Sequence, residues 1–179
     1  DDDLANAIEA PSVDVGALLG DVTGVVNYAF GNYEILPTEA VAVTPSALAP
    51  ETTTLTGSAD QLTVASYNVL NLDPNDNDGD ADVADGRFAA IAAQIVNNLA
   101  SPDVVALQEV QNNDGEVISD VAAADRTLQL LVDAIAAAGG PTYAFIDTPG
   151  VPTTTDDGSL VRPVGGAPGG DIRNAFLYD

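Results

Sequence analysis

Histidine, cysteine, methionine, tryptophan and lysine are all absent from the 179 residues. Without cysteine there is no disulfide framework and no thiolate ligand. Without histidine there is no imidazole to bind a metal, and the commonest general acid/base is missing. Any metal held by this chain is therefore a hard cation on oxygen ligands. Aromatic residues make up only 5% of the chain, so the core must pack small aliphatic side chains. No apolar run approaches the roughly 18 residues of a membrane span. Asp1-Asp2-Asp3 is the reverse of a basic leader segment. Together with an end at Tyr178-Asp179 in a strand-like pattern, this leads us to expect that both ends are cuts in a longer chain.

What is present is acid. Asp and Glu number 28 against four Arg, for a net charge of −24. Such a surface repels a polyanion, where nucleic-acid binders normally carry the opposite footprint. Phosphate chemistry on this chain would have to rest on divalent cations and a local Arg. The plainer reading is that the acidity serves solubility in salty or calcium-rich surroundings.

Three stretches separate by composition. Residues 1–43 contain short strand patterns at 22–26, 28–30 and 33–36, with Gly31-Asn32 as a tight-turn signal. Residues 44–60 are rich in Thr, Ser, Pro and Ala, have no periodicity, and read as a linker. Residues 61–179 alternate strand and helix. Leu62 to Val69 fits a buried strand, and Phe88, Ile91, Ile95 and Leu99 share one helical face that Ser101-Pro102 ends. Val104 to Leu107 suits a strand covered on both faces. Leu128, Leu131 and Ile135 line a second helix that stops at Gly139-Gly140. Further strands are expected at 143–146 and 172–178, around a Gly/Pro/Thr-rich loop over 148–170.

Two polar side chains close buried strands: Asn68 in Ser66-Tyr67-Asn68-Val69, and Glu109 in Leu107-Gln108-Glu109-Val110. A carboxylate and an amide oxygen delivered to one edge by rigid strands form a natural hard-cation site. Each is equally the first exposed position after a strand. Arg173, flanked by apolar residues, is either a fork for a phosphate or a salt bridge at the core edge.

The stretches LTVASYNVLNL (62–72), RFAAIAAQIVNNLASPDVVALQEVQ (87–111) and GGDIRNAFL (169–177) stand in this order. In that combination the chain resembles the endonuclease/exonuclease/phosphatase superfamily and is most similar to its large secreted bacterial extracellular nucleases. The resemblance implies an α+β fold: a four-layer α/β/β/α sandwich, of which residues 61–179 would be the first half. Residues 1–43 would be the last strands of a small OB-like β module. It also implies that Asn68 and Glu109 ligate Mg²⁺ or Mn²⁺ (or Ca²⁺), that Arg173 contacts substrate phosphate, and that Asp147 orients a catalytic His. The family's His general acid, its Asp-x-Asn pair and its late Asp-His pair have no counterpart in this sequence. These residues alone should therefore be inactive. The parent is expected to be a secreted or cell-surface hydrolase of nucleic-acid phosphodiesters. A phosphatase or a phospholipid phosphodiesterase would be a variant of the same chemistry.

The segment Asp73-Pro74-Asn75-Asp76-Asn77-Asp78-Gly79-Asp80-Ala81-Asp82-Val83-Ala84-Asp85 has oxygens at alternate positions. With Gly79 in sixth place, Asp76, Asp78, Asp80, Asp82 and Asp85 fall on ligand positions of an EF-hand-like Ca²⁺ loop, although Pro74 would hold the first. A solvated acidic loop is the competing reading. These features also fit a different class, a noncatalytic calcium-binding extracellular module. Half of a sandwich leaves an apolar sheet face bare. The missing half-domain or a neighbouring copy is therefore expected to cover it.

Overall fold

The computed structural model describes residues 11–117, 119, 121–148, 153–154, 160–161 and 171–179. The loop expected over 148–170 thus lies largely outside the described residues. Two compact units divide between Pro50 and Glu51.

In the first unit, β1 (Leu18–Leu19) is followed by β2 (Gly24–Ala29), β3 (Asn32–Pro37) and β4 (Val43–Thr44). β2 and β3 form a hairpin, and β1 pairs antiparallel with β4. The strand patterns at 22–26 and 28–30 merge into the single strand β2. The turn sits at Phe30-Gly31, one residue before the expected Gly31-Asn32, because Asn32 is already paired with Ala29. Phe30 and Gly31 have φ of 50° and 84°, the left-handed pair that a two-residue hairpin turn needs to match strand twist.

The second unit runs β5 (Val64–Leu72), α1 (Arg87–Asn97), β6 (Val104–Val110), α2 (Asp125–Ala137), β7 (Ala144–Asp147), β8 (Thr153–Thr154), β9 (Leu160–Val161), β10 (Arg173–Tyr178). β8 and β9 pair with each other. The main sheet has the order β5-β6-β10-β7, with β5 and β6 parallel and the other pairs antiparallel. The fold is α+β. Parallel β5 and β6 require a crossover, and α1 supplies it.

Register explains the layering. Ala65, Val105, Leu177 and Phe145 form one row across the sheet, and Tyr67, Leu107, Ala175 and Asp147 the next. These rows lie under both helices. Val105, Leu107, Ala175 and Leu177 join Phe88, Ile91 and Ile95 of α1 and Leu128, Leu131 and Ile135 of α2 in one core. The intervening row of Val64, Val104, Tyr178 and Ala144 belongs to the other face, as does that of Ser66, Ala106, Phe176 and Ile146. There Val64 is 67% exposed, Ile146 51% and Phe176 39%. β5 was expected to be buried, and β6 to be covered on both faces. They are covered on one, because both helices of the unit pack on the same side.

α1 ends at Asn97, earlier than the expected Ser101-Pro102, and Leu99 packs on the core from beyond the helix. Asn98 takes the cap position. Its side chain donates to the Glu51 carbonyl, and its own carbonyl accepts from Thr53 N–H. The second half of the expected linker is therefore hydrogen-bonded into the second unit. α2 ends as expected: Gly139 adopts φ of 90°, and Gly140 N–H reaches back to the Ile135 carbonyl.

Candidate functional site

The carboxyl ends of β5 and β6 are irregular on both strands. Between Asn68↔Gln108 and Leu72↔Val110, β5 spends two residues more than β6. Between Ala175↔Leu107 and Arg173↔Val110, β6 spends one more than β10. Three residues absorb the mismatch in left-handed backbone: Leu70 at φ 53°, Asn71 at 57° and Glu109 at 60°. Left-handed conformations cost non-glycine residues free energy and concentrate where a structure serves a site. The result brings Asn68 and Glu109 together. Asn68 Nδ2 donates to Glu109 Oε1 at 2.7 Å, while Asn68 Oδ1 accepts from Leu70 N–H at 2.7 Å. A carboxylate and an amide oxygen are the hard donors that Mg²⁺ or Mn²⁺ takes, and Oδ1 keeps a second lone pair beside its bond to Leu70. The donor types of the pair suit a cation of this kind. Tyr67, Asn68, Leu70 and Arg87 line a shallow cleft of about 300 Å³ against α1.

Arg173 does not join this pair. Alternation along β10 sets it with Ala175 and Leu177 on the helix-covered face, whereas Asn68 alternates with Ser66 and Val64 on the open face. Its side chain is 4% exposed and lies 3.3 Å from the Asp147 carboxylate. Nε and Nη2 both donate to the Asp171 carbonyl at 3.1 Å. The expected phosphate clamp is thus an internal ion pair, the alternative that its apolar flanks left open. Asp147, expected to orient a His, instead holds Arg173 and accepts from Ala124 N–H at 3.4 Å, just before α2.

The acidic segment folds back on the turn after β6. Carboxylate oxygens of Asp73, Asp78 and Asp80 lie within 4.8 Å of one another. Asp73 is 1% exposed, and among the described residues its Oδ2 has no hydrogen-bond partner; Asp78 Oδ1 is also buried and unpartnered among them. Burial, reinforced by Asp78, Asp80 and Asp82, pushes the Asp73 carboxyl up to about 7 against the bond it accepts from Asn75 N–H. Burial and then Asp82 and Asp78 also raise the Asp80 carboxyl. Gly115, at φ 66°, closes the other side: a Cβ there would stand 1.7 Å from Asp78 Oδ2 and 2.6 Å from Asp73 Oδ1. Glu116 N–H donates to Asp78 Oδ2 at 2.7 Å.

The EF-hand register is not the one this fold uses. Of the five expected positions, Asp78 and Asp80 enter the cluster. Asp76 instead accepts from Val83 and Ala84 N–H, and Asp82 is paired with Arg87 at 2.6 Å. Asp85 lies exposed outside the cluster. Asp73 and Gly115 were missed. The signal for Asp73 was present, since Pro74 disqualified the first position and the preceding residue is an acid. Gly115 lies on a different element, which no local periodicity joins to the loop.

Arg87 ties the two regions together. Its Nη1 bonds Asp82, and its Nη2 donates to the carbonyls of Val69, at 2.6 Å, and Leu70. Asp82 Oδ2 in turn accepts from Asp73 N–H at 3.1 Å.

A family described only as a domain of unknown function (DUF8508) matches residues 1–47. That match leaves the sheet-and-helix unit outside it. No curated protein and no solved structure shows a significant match to the chain.

Proposed function

We propose that this chain supplies the cation-holding strand tips of a secreted, divalent-metal-dependent phosphodiesterase acting on nucleic acid. In this reading the β5-β6-β10-β7 sheet with α1 and α2 is one half of a four-layer α/β/β/α sandwich. The observation that carries it is the 2.7 Å contact between Asn68, where the regular β5–β6 pairing stops, and Glu109, set in left-handed backbone near the end of β6. A bound Mg²⁺ or Mn²⁺ would polarise a phosphoryl oxygen and acidify a bound water. The roles of this chain's own residues are narrower. Glu109 supplies the charge, and Asn68 supplies a neutral oxygen. The rigid strands fix both, and Leu70 N–H keeps the Asn68 amide from rotating. Arg173 and Asp147 hold the sheet to α2 in this reading and take no part in phosphate binding. The chain has no His, so no imidazole among these residues can protonate the leaving oxygen.

The test is Mg²⁺-dependent cleavage of plasmid DNA by the longest natural chain carrying these residues. Glu109→Gln removes the charge and keeps the shape, and should lower the rate at least 100-fold. Manganese EPR on the same variant should show weakened binding. An unchanged rate with unchanged Mn²⁺ affinity would exclude Glu109 as a ligand and end this reading.

A further inference from the structure

We propose that Asp73, Asp78 and Asp80, closed by the Gly115 turn, form a second divalent-cation site that takes Ca²⁺. An acidic cluster alone would not support this, because exposed carboxylates often gather without an ion. Here one of the three is 1% exposed, yet its Oδ2 has no partner among the described residues. A buried carboxylate oxygen left without a partner is unfavourable unless a proton or a cation satisfies it. Among the described residues, Arg87 is engaged elsewhere. Arg87 Nη1 lies 2.6 Å from Asp82 and 3.8 Å from Asp80, and its other nitrogen is engaged by β5 carbonyls.

The chemistry selects the ion. The ligands are oxygen only, which suits a hard cation. Ca²⁺ holds oxygens at about 2.3–2.6 Å in a loose shell of six to eight, so ligands on opposite sides stand about 5 Å apart. Mg²⁺ needs a tight octahedron at about 2.0–2.1 Å. All three carboxylates stand on the loop without regular structure that follows β5, which can adjust to the looser shell more readily than to a tight octahedron. Gly115 adds a steric condition, because any side chain there would occupy the space of the Asp78 and Asp73 carboxylates. The site shares no ligand with Asn68 and Glu109, and it stands whether or not the phosphodiesterase reading does.

The experiment is calorimetric titration of the EDTA-stripped 179-residue chain with CaCl₂ and, separately, MgCl₂. Thermal melts with and without each ion accompany it. We expect a saturable Ca²⁺ event, at least tenfold tighter than Mg²⁺ at the same site, with a higher Tm in Ca²⁺. Asp73→Asn and Asp78→Asn should each weaken it at least tenfold. Asp85→Asn, which removes one charge from the same segment, should leave it unchanged. Glu109→Gln should also leave it unchanged, which separates this site from the strand tips. If Asp73→Asn does not fold, the exposed Asp80→Asn serves in its place. The proposal is overturned if binding never saturates, if Mg²⁺ binds the Glu109→Gln chain as tightly as Ca²⁺ does, or if Asp85→Asn weakens Ca²⁺ as much as Asp78→Asn.

Discussion

Asp73 is an acid held in an environment that disfavours its charge. Its carboxyl ionises near 3.8 in a model peptide and is pushed up to about 7 in the fold, mainly by burial. Between these values the folded chain binds a proton that the unfolded chain does not, so stability falls as pH rises. This contribution favours the fold most below about pH 4 and is lost as pH passes through about 7. Other carboxylates act oppositely: Thr63 holds Asp103 low and Asn113 holds Asp125 low by hydrogen bonds. The measurement is therefore a difference. In EDTA, urea denaturation at pH 4.5 and 7 should show wild type losing more stability than Asp73→Asn over that interval. Equal losses would mean that Asp73 carries no strained charge. Raising Ca²⁺ at pH 7 should remove the wild-type deficit, since a bound cation replaces the proton.

Among the elements, α2 shows how a helix is started from outside itself. Ala124 precedes it and offers no capping side chain. Asn113, on the turn after β6, fills that role: Oδ1 accepts from Arg126 and Thr127 N–H at 2.9 and 3.3 Å, and Nδ2 donates to Asp125 at 2.7 Å. Thr127 Oγ1 returns a bond to the Gln111 carbonyl at 3.1 Å. Asn113→Ala should cost about 1–2 kcal/mol, the scale of a lost N-cap, and faster hydrogen exchange should begin in the first turn of α2. A loss confined to distant residues would refute the cap. This arrangement also shows what the sequence could disclose. Helical spacing of Leu128, Leu131 and Ile135, the Gly139 stop and the apolar run at 104–107 are local patterns, and each lies where its spacing put it. The start of α2, the single covered face of β5 and the burial of Arg173 depend on which elements share a side of the sheet. No window of sequence holds that information. Glu109 was legible as a strand end, whereas Asn68, expected to close its strand, lies four residues before the end of β5, and the bulge that joins the two arises from three strands together.

For the molecule as a whole, charge dominates. A net −24 carried by 179 residues repels itself in the compact state, and nearly all of that repulsion is open to screening. Moving from 10 mM to 0.5 M NaCl should raise Tm by roughly 5 °C, about 2 kcal/mol at this size. A Tm that falls or stays flat would show that paired charges outweigh repulsion. Few pairs are available to do so: among the described residues, the salt bridges are Arg87 with Asp80 and Asp82, and Arg173 with Asp147.

The extra residue in β6 has a consequence for how such a site can change. Glu109 lies where β6 runs one residue longer than its antiparallel neighbour, so it fills a slack position that the β6–β10 ladder does not need. The alternation that dictates Val105, Leu107, Ala175 and Leu177 places no demand on it. Under the proposed reading, a change of its side chain would retune the affinity of this edge for an ion while the hydrogen-bonded frame around it stays as it is.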